Sequence, residues 1–212
     1  MKSGLPAAPP RAARRGAWRH ADLVALDFEA TGLDFGKDTL VSYGTVPVHR
    51  ARIDVGDVTY QLVDPGSVEV SPTSVVIHML RPVDLVGAAT LEEAKDTLRR
   101  RIASRFLLAW WAPVEAGFLD QLFGGGLGTW MRRAIDVRDL LLALEGEAAA
   151  RLTLSAAAER HHVPVASPHE ALDDALVTAQ LFLVLATKLG DRMRTIRDLQ
   201  ALAPKQGSHG VR

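Results

Sequence analysis

The chain has 212 residues, no cysteine, 48% hydrophobic residues and 25 Lys+Arg against 25 Asp+Glu, which is the size and composition of one globular domain with its own core. The missing cysteines exclude disulfides, Cys-ligated zinc, iron–sulfur clusters and a thiol nucleophile, so any metal must take oxygen or imidazole ligands. The neutral sum hides a division: residues 1–20 carry Lys2, Arg11, Arg14, Arg15 and Arg19 and no acid, +5, leaving residues 21–212 at −5.

The leader has three prolines and no apolar periodicity, so residues 1–20 read as a disordered basic arm. It lacks the apolar stretch of a secretory signal, and no apolar run reaches the roughly 18 residues of a membrane span. A cytoplasmic protein with no membrane partner is the expectation. From Leu23 the pattern becomes structural. Leu23–Glu29 is a buried-type strand, and Thr39–Val48 and Val58–Val63 complete a meander. Leu91–Ile102 has helical apolar spacing through Leu91, Ala94, Leu98 and Ile102. Phe106–Trp110 and Ala134–Val137 read as short strands, each followed by a helix, Pro113–Leu122 and Arg138–Leu144. Leu154–His161, a long helix over Ala171–Leu189 and a short one within Arg192–Leu202 follow. Three strands and then alternating helix and strand make an α/β domain with a mixed sheet over residues 21–202, with 203–212 as a flexible tail.

Asp27 and Glu29 in LVALDFEATGLD are two apart on a strand, so both leave one face, with about 6–7 Å between α-carbons. Paired carboxylates repel each other and resist desolvation, an arrangement that calls for a cation. The turn Ala30-Thr31-Gly32-Leu33 then offers backbone N–H groups to a phosphate or sugar hydroxyl. In SPHEALDDALVTAQLFLVL, His169 and Asp174 precede an amphipathic helix. On local rules alone Ser167 and Glu170 form a capping box, and Asp173 and Asp174 are acids favoured by the helix dipole. Between these segments lies LLAWWAPVEAGFLDQLF, where Pro113 suits a helix start, Glu115 an N-terminal acid, and Trp110 and Trp111 either core or a stacking face for an unpaired base.

Together these segments resemble the three motifs of the DEDDh (DnaQ-like) 3′–5′ exonucleases. The first has the pattern D-x-E-T-T-G-L, with Ala30 replacing one threonine here. The third is H-x-x-x-x-D, matched by His169 and Asp174. The second is V-A-H-N-A-x-F-D-x-x-F-L. It aligns through Ala109, Ala112, Phe118 and Leu119, places Glu115 at the usual aspartate, and has Trp110 and Trp111 for His-Asn.

The resemblance implies a ribonuclease H-like fold, a mixed five-stranded sheet flanked by helices, and release of nucleoside 5′-monophosphates from DNA or RNA 3′ ends. It implies that Asp27, Glu29, Asp174 and Glu115 hold two ions, Mg²⁺ or Mn²⁺, that His169 is the general base, and that Ala30, Thr31, Gly32 and Leu33 receive the terminal nucleotide. Hard oxygen ligands suit these ions, and a two-ion site suits in-line phosphoryl displacement. The implied partner is single-stranded or 3′-ended nucleic acid. The alternatives are a polymerase-associated proofreading subunit, for which little chain follows the domain, and a catalytically weakened binding module, suggested by Glu115 and the two tryptophans. His78, His161, His162 and the GGGLG run read as structural. Arg99, Arg100, Arg101, Arg105, Arg132 and Arg133 read by default as solvated.

Overall fold

In the computed structural model, which describes residues 4–202, the apolar run LVALDFEA lies in the middle of the sheet as strand β1 (Asp22–Ala30). A strand covered on both faces reads as a continuous apolar run rather than an alternating one. On one side β1 pairs antiparallel with β2 (Leu40–His49), from Asp22 opposite His49 to Ala30 opposite Leu40, with a bulge between Glu29 and Ala30. On the other it pairs parallel with β5 (Phe106–Ala109), which pairs parallel with β6 (Ala134–Asp136). The short strands β3 (Arg52–Ile53) and β4 (Thr59–Leu62) both pair antiparallel with β2, β3 at Val48–His49 and β4 at Ser42–Thr45. The sheet thus has six strands in the five lanes expected, mixed in direction and ribonuclease H-like.

Alternation along β1 divides the core. Leu23 and Ala25 face helix α7 (Ala171–Leu189) and meet Leu108, Ala175, Val177 and Phe182. Val24, Leu26 and Phe28 face the opposite layer, where α2 (Leu91–Ile102) and α3 (Ala112–Phe123) contribute Leu98, Ile102, Phe118 and Leu119. Helix α2 begins on a capping box, Thr90 with Glu93, as its threonine and glutamate spacing allows. Helix α5 (Val137–Glu145) and helix α6 (Leu154–Arg160) add Leu140, Leu141 and Ala157 to the α7 layer. One glycine sets how close α7 comes: a Cβ on Gly44 of β2 would lie 2.2 Å from the Ala171 carbonyl oxygen. The first turn of α7 therefore rests on the sheet backbone beside Asp27, which faces Gly44 in the β1–β2 register.

The structure departs from expectation at several places. Residues 4–20 pack on the domain rather than forming a disordered arm. Trp18 is 1% exposed, its ring meets Phe182 edge-on at 5.3 Å, and its backbone N–H donates to the Arg194 carbonyl at 3.0 Å. One tryptophan buries enough apolar surface to order a segment that its prolines and arginines make look disordered. Residues 11–15 and 18–20 form 3₁₀ turns. The expected flexible tail, 203–212, lies outside the described residues. Helix α1 (Pro72–His78), read as loop, forms because Ser71 caps it and Pro72 opens it. The glycine run is a turn only in part: Gly124, Gly125 and Gly126 have positive φ, and Leu127–Met131 is the short helix α4. The last short helix, α8, is Ile196–Gln200.

Candidate active site

Asp27 and Glu29 extend the row begun by Leu23 and Ala25, so both carboxylates stand on the α7 face of β1, at its C-terminal end. Parallel pairing brings the C-terminal end of β5 to the same edge. The chain leaves there through Trp110 and Trp111 into α3, whose first turn carries Glu115. Asp174 projects from the first turn of α7. Glu29 and Asp174 are each 9% exposed and Glu115 is 7% exposed.

Four acids crowded out of water resist ionisation. Burial, followed by the charges of Glu115, Glu29 and Asp174, pushes the Asp27 carboxyl well above its usual range. Burial and Asp174 push Glu29 up to about 8. Glu115 is pushed up to about 8 by burial, with Asp136 and Glu29 adding repulsion and a backbone hydrogen bond opposing it. Asp174 is raised by burial and held down in part by the His169 backbone N–H. Two of these oxygens, Oε2 of Glu115 and Oδ1 of Asp174, are buried without a hydrogen-bond partner. Unpartnered buried carboxylate oxygens among like charges are the donor set for hard divalent cations, and the residues fit such ions. One ligand atom from each of Glu29, His169 and Asp174 lies within 4.8 Å of the others. His169 is exposed and sits at φ 64°, on the turn entering α7.

The anticipated capping box is absent. Helix α7 starts at Ala171 with Glu170 as its N-cap residue, because the turn is held another way: Ser167 donates its N–H to Oδ2 of Asp173 at 2.6 Å. Asp173 thus fixes the loop that carries His169. In the Ala30–Leu33 turn, the Thr31 N–H is taken by the Thr39 carbonyl at 2.9 Å and its hydroxyl donates to Asp38 at 2.8 Å. Asp38 also fills the space where a Gly32 Cβ would sit, 2.4 Å from its Oδ2. Ala30 ends β1, and Leu33 stands 64% exposed beside it. Trp110 packs partly on the core, whereas Trp111 is 50% exposed and lines a cavity of about 260 Å³ with Arg138 and Arg151.

Two residues escaped the sequence reading. Asp136, at the end of β6, accepts from the Ala112 N–H and the Arg138 N–H, each at 3.0 Å, and so ties α3, which bears Glu115, to α5. Burial, with repulsion from Asp139, pushes it up to about 7. Its signal was an N-cap aspartate directly before a helix. Tyr60 of β4 shares a row with Gly44 and Asp27. Burial raises the pKa of its hydroxyl, and the charges of Glu170 and Glu29 add to the rise.

The remaining candidates are structural. The Nδ1 of buried His78 accepts from the Leu80 N–H at 3.0 Å. His161 is enclosed between Glu145 and Lys188. Arg101 pairs with Asp57 at 2.5 Å and Arg99 with Asp96 at 3.3 Å.

A sheet of this order is a ribonuclease H-like fold, and it carries a buried acidic cluster contributed by β1, α3 and α7. The chain belongs to the RNase_T family of exonucleases, whose pattern matches residues 24–182. It is 30% identical over 168 residues to a PolC-type DNA polymerase III from Thermotoga petrophila, covering 79% of this chain and 12% of that protein. The chain spans about an eighth of the length of the curated relatives it matches. Among solved structures it is similar to the nuclease domain of 3′hExo, a DEDDh family member, bound to rAMP. That likeness has a TM-score of 0.68 at 16% identity, over 85% of this chain and 98% of that one. Exonuclease X in complex with 5′ overhanging duplex DNA matches with a TM-score of 0.63 at 20% identity, over 84% and 99% of the two chains. No described helix is long and apolar enough to cross a membrane.

Proposed function

We propose that the chain is a 3′–5′ exonuclease that releases nucleoside 5′-monophosphates from DNA or RNA 3′ ends. The observation that carries this is the meeting of Asp27, Glu29, Glu115 and Asp174, with buried unpartnered oxygens on the last two. These four would hold two divalent cations, Mg²⁺ or Mn²⁺. When bound, such ions supply positive charge that stabilises the attacking and leaving oxygens of an in-line phosphoryl displacement. His169 takes the proton of the attacking water on a ring nitrogen, while that water's oxygen bonds to phosphorus. The P–O3′ bond breaks, O3′ takes a proton from solvent to become the 3′-hydroxyl of the shortened strand, and the nucleoside 5′-monophosphate is free to leave. The turn from Ala30 to Leu33 receives the last nucleotide, with exposed Leu33 set against its base, and Trp111 offers a stacking face to an unpaired base. The family, and neighbours bound to rAMP or to DNA, support a nucleic-acid substrate.

The test is digestion of single-stranded and 3′-recessed oligonucleotides labelled at either end, with Mg²⁺, Mn²⁺ or EDTA. A 5′-label giving a ladder, with mononucleotide product only when metal is present, is the expected result. Binding with no metal-dependent shortening of any substrate overturns the reading. The PolC-type relatives favour one further reading, in which the chain works beside a DNA polymerase. Co-purification with a polymerase subunit tests it.

A further inference from the structure

The basic leader builds a cavity. Arg11, Arg14 and Arg15 from the leader, Arg132 and Arg133 from the α4–β6 turn, and Arg197 of α8 line a space of about 710 Å³, and no Asp or Glu lines it. None of the six pairs with a carboxylate among the described residues. The walls are tied together through Gln200, which accepts from Arg14 Nε at 2.8 Å and donates to the carbonyls of Arg132 and Ala134, both at 3.0 Å. Arg133 is 5% exposed and donates to the carbonyls of Pro6 and Ile102, yet its Nε is buried without a partner. Six guanidinium groups around one space repel each other, and none is neutralised by an ion pair among the described residues. Guanidinium forks match phosphate oxygens, which they can meet with two parallel N–H donors.

The place of this cavity decides what it would hold. Phe106 begins β5 and Arg133 directly precedes β6, so the arginines surround the N-terminal ends of the two strands whose C-terminal ends lead to the carboxylates. The two sites therefore lie at opposite edges of the sheet, separated by roughly 15 Å at the strand rise of about 3.3 Å per residue. With one phosphate every 3.4 Å or so along a strand, that distance corresponds to on the order of five nucleotides or more. The cavity's only aromatic lining residue, Phe106, is 2% exposed, so the surface can read charge but cannot stack a base.

We propose that this cavity is a second nucleic-acid site, one that grips the phosphodiester backbone of the substrate strand several nucleotides from the 3′ end held at the carboxylates. The proposal rests on the nucleic-acid substrate proposed above. It accounts for the opposed charges of leader and body, because the leader supplies three of the six arginines to an otherwise acidic domain.

The experiment is fluorescence anisotropy of labelled oligothymidylates, 4 and 20 nucleotides long, with the full chain in EDTA, repeated across salt concentrations. The variant replaces three of the four exposed arginines, Arg11→Ser, Arg15→Ser and Arg197→Ser, and leaves Arg132 and buried Arg133 in place. Its affinity for the 20-mer is expected to fall at least tenfold, and its salt slope to shrink by about 2, since each phosphate contact on a single strand contributes about 0.7. The corresponding triple lysine variant is expected to keep the slope. Arg15→Ser alone, with about a third of the change, serves if the triple serine variant does not fold. Unchanged affinity and slope for the 20-mer overturn the proposal. So does competition by inorganic phosphate or a nucleoside monophosphate as strong as by the 20-mer, which would make the cavity a free-anion site. Digestion by the unaltered chain with Mg²⁺ is scored separately, so a nuclease without this second site and a chain that is not a nuclease give different results.

Discussion

The backbone N–H of His169 donates to Oδ2 of Asp174 at 3.2 Å, and His169 itself lies in the left-handed region at φ 64°. Five residues apart, the two would not share a helical face. The left-handed turn, which costs a non-glycine residue about 1–2 kcal/mol, folds the chain back so that the histidine meets the carboxylate that its own N–H is anchoring. The link from sequence to chemistry at this point is one unfavourable backbone conformation held by Asp173 on one side and Asp174 on the other.

If His169 is the base rather than a ligand, His169→Ala lowers kcat by roughly 10²–10⁴-fold. The dissociation constant for Mn²⁺, measured by calorimetry, is then expected to stay within about threefold of the parent. Metal affinity falling in step with kcat would reassign His169 as a ligand, a role its distance from Glu29 and Asp174 also allows.

Metal-free stability should depend on pH in a particular direction. Glu29 and Glu115 are pushed up to about 8, and Asp27 and Asp174 are also raised, with burial the leading cause for each. Unfolded carboxyls titrate near 4. A group whose folded pKa is raised favours the folded state while protonated, so its contribution is complete below about 4 and is lost as pH climbs through about 8. In EDTA the melting temperature is expected to be about 5–10 °C higher at pH 5 than at pH 8.5, for roughly 2–3 kcal/mol. Mg²⁺ should narrow the gap by stabilising the ionised cluster. Calorimetric scans at both pH values check it, and a higher melting temperature at pH 8.5 in EDTA contradicts the cluster's electrostatics.

The elements that local pattern and motif could reveal were those whose purpose is local. The run from Leu23 to Phe28 announces a central strand, and α2 was legible to the residue from the apolar spacing of Leu91, Ala94, Leu98 and Ile102. Asp27, Glu29, Glu115 and Asp174 were legible because each sits at a fixed offset inside a motif, and their crowding appears in the structure as mutual repulsion. What stayed hidden depends on long-range register. Nothing near Gly44 in sequence says that Asp27 and Tyr60 flank it in the sheet or that Ala171 rests on it. Trp18 looked like one aromatic in a proline-rich leader because its partner, Phe182, is 164 positions away.

Gly44→Ala tests that register. The new methyl group would lie 2.2 Å from the Ala171 carbonyl oxygen and 2.5 Å from the Leu172 α-carbon, both backbone atoms that can yield only if α7 moves. Overpacking of this kind destabilises by about 1–3 kcal/mol. Because α7 carries Asp174, an outward shift near 1 Å should also reduce kcat on the order of 10²-fold. Urea unfolding together with steady-state hydrolysis checks both. Full activity in a destabilised variant would mean that the helix yields without moving Asp174.

Glu115 is the departure from the aspartate usual in the family's second motif, and despite the added methylene its carboxylate lies close enough to Asp27 and Glu29 for their charges to repel. Its buried Oε2 has no hydrogen-bond partner among the described residues, which leaves it free to face a cation. Glu115→Gln keeps the shape and removes that charge. Hydrolysis is expected to fall about 10²-fold, with weaker Mn²⁺ binding, as for loss of a preorganised charge-stabilising group. In EDTA at pH 8.5 the same variant should melt higher than the parent, because one ionised group has left a repulsive cluster. Glu115→Asp keeps the charge about 1.5 Å shorter in reach, and is expected to stay within tenfold of the parent. If Glu115→Gln hydrolyses like the parent while Asp174→Asn is inactive, Glu115 is a buried acid beside the site and not part of it.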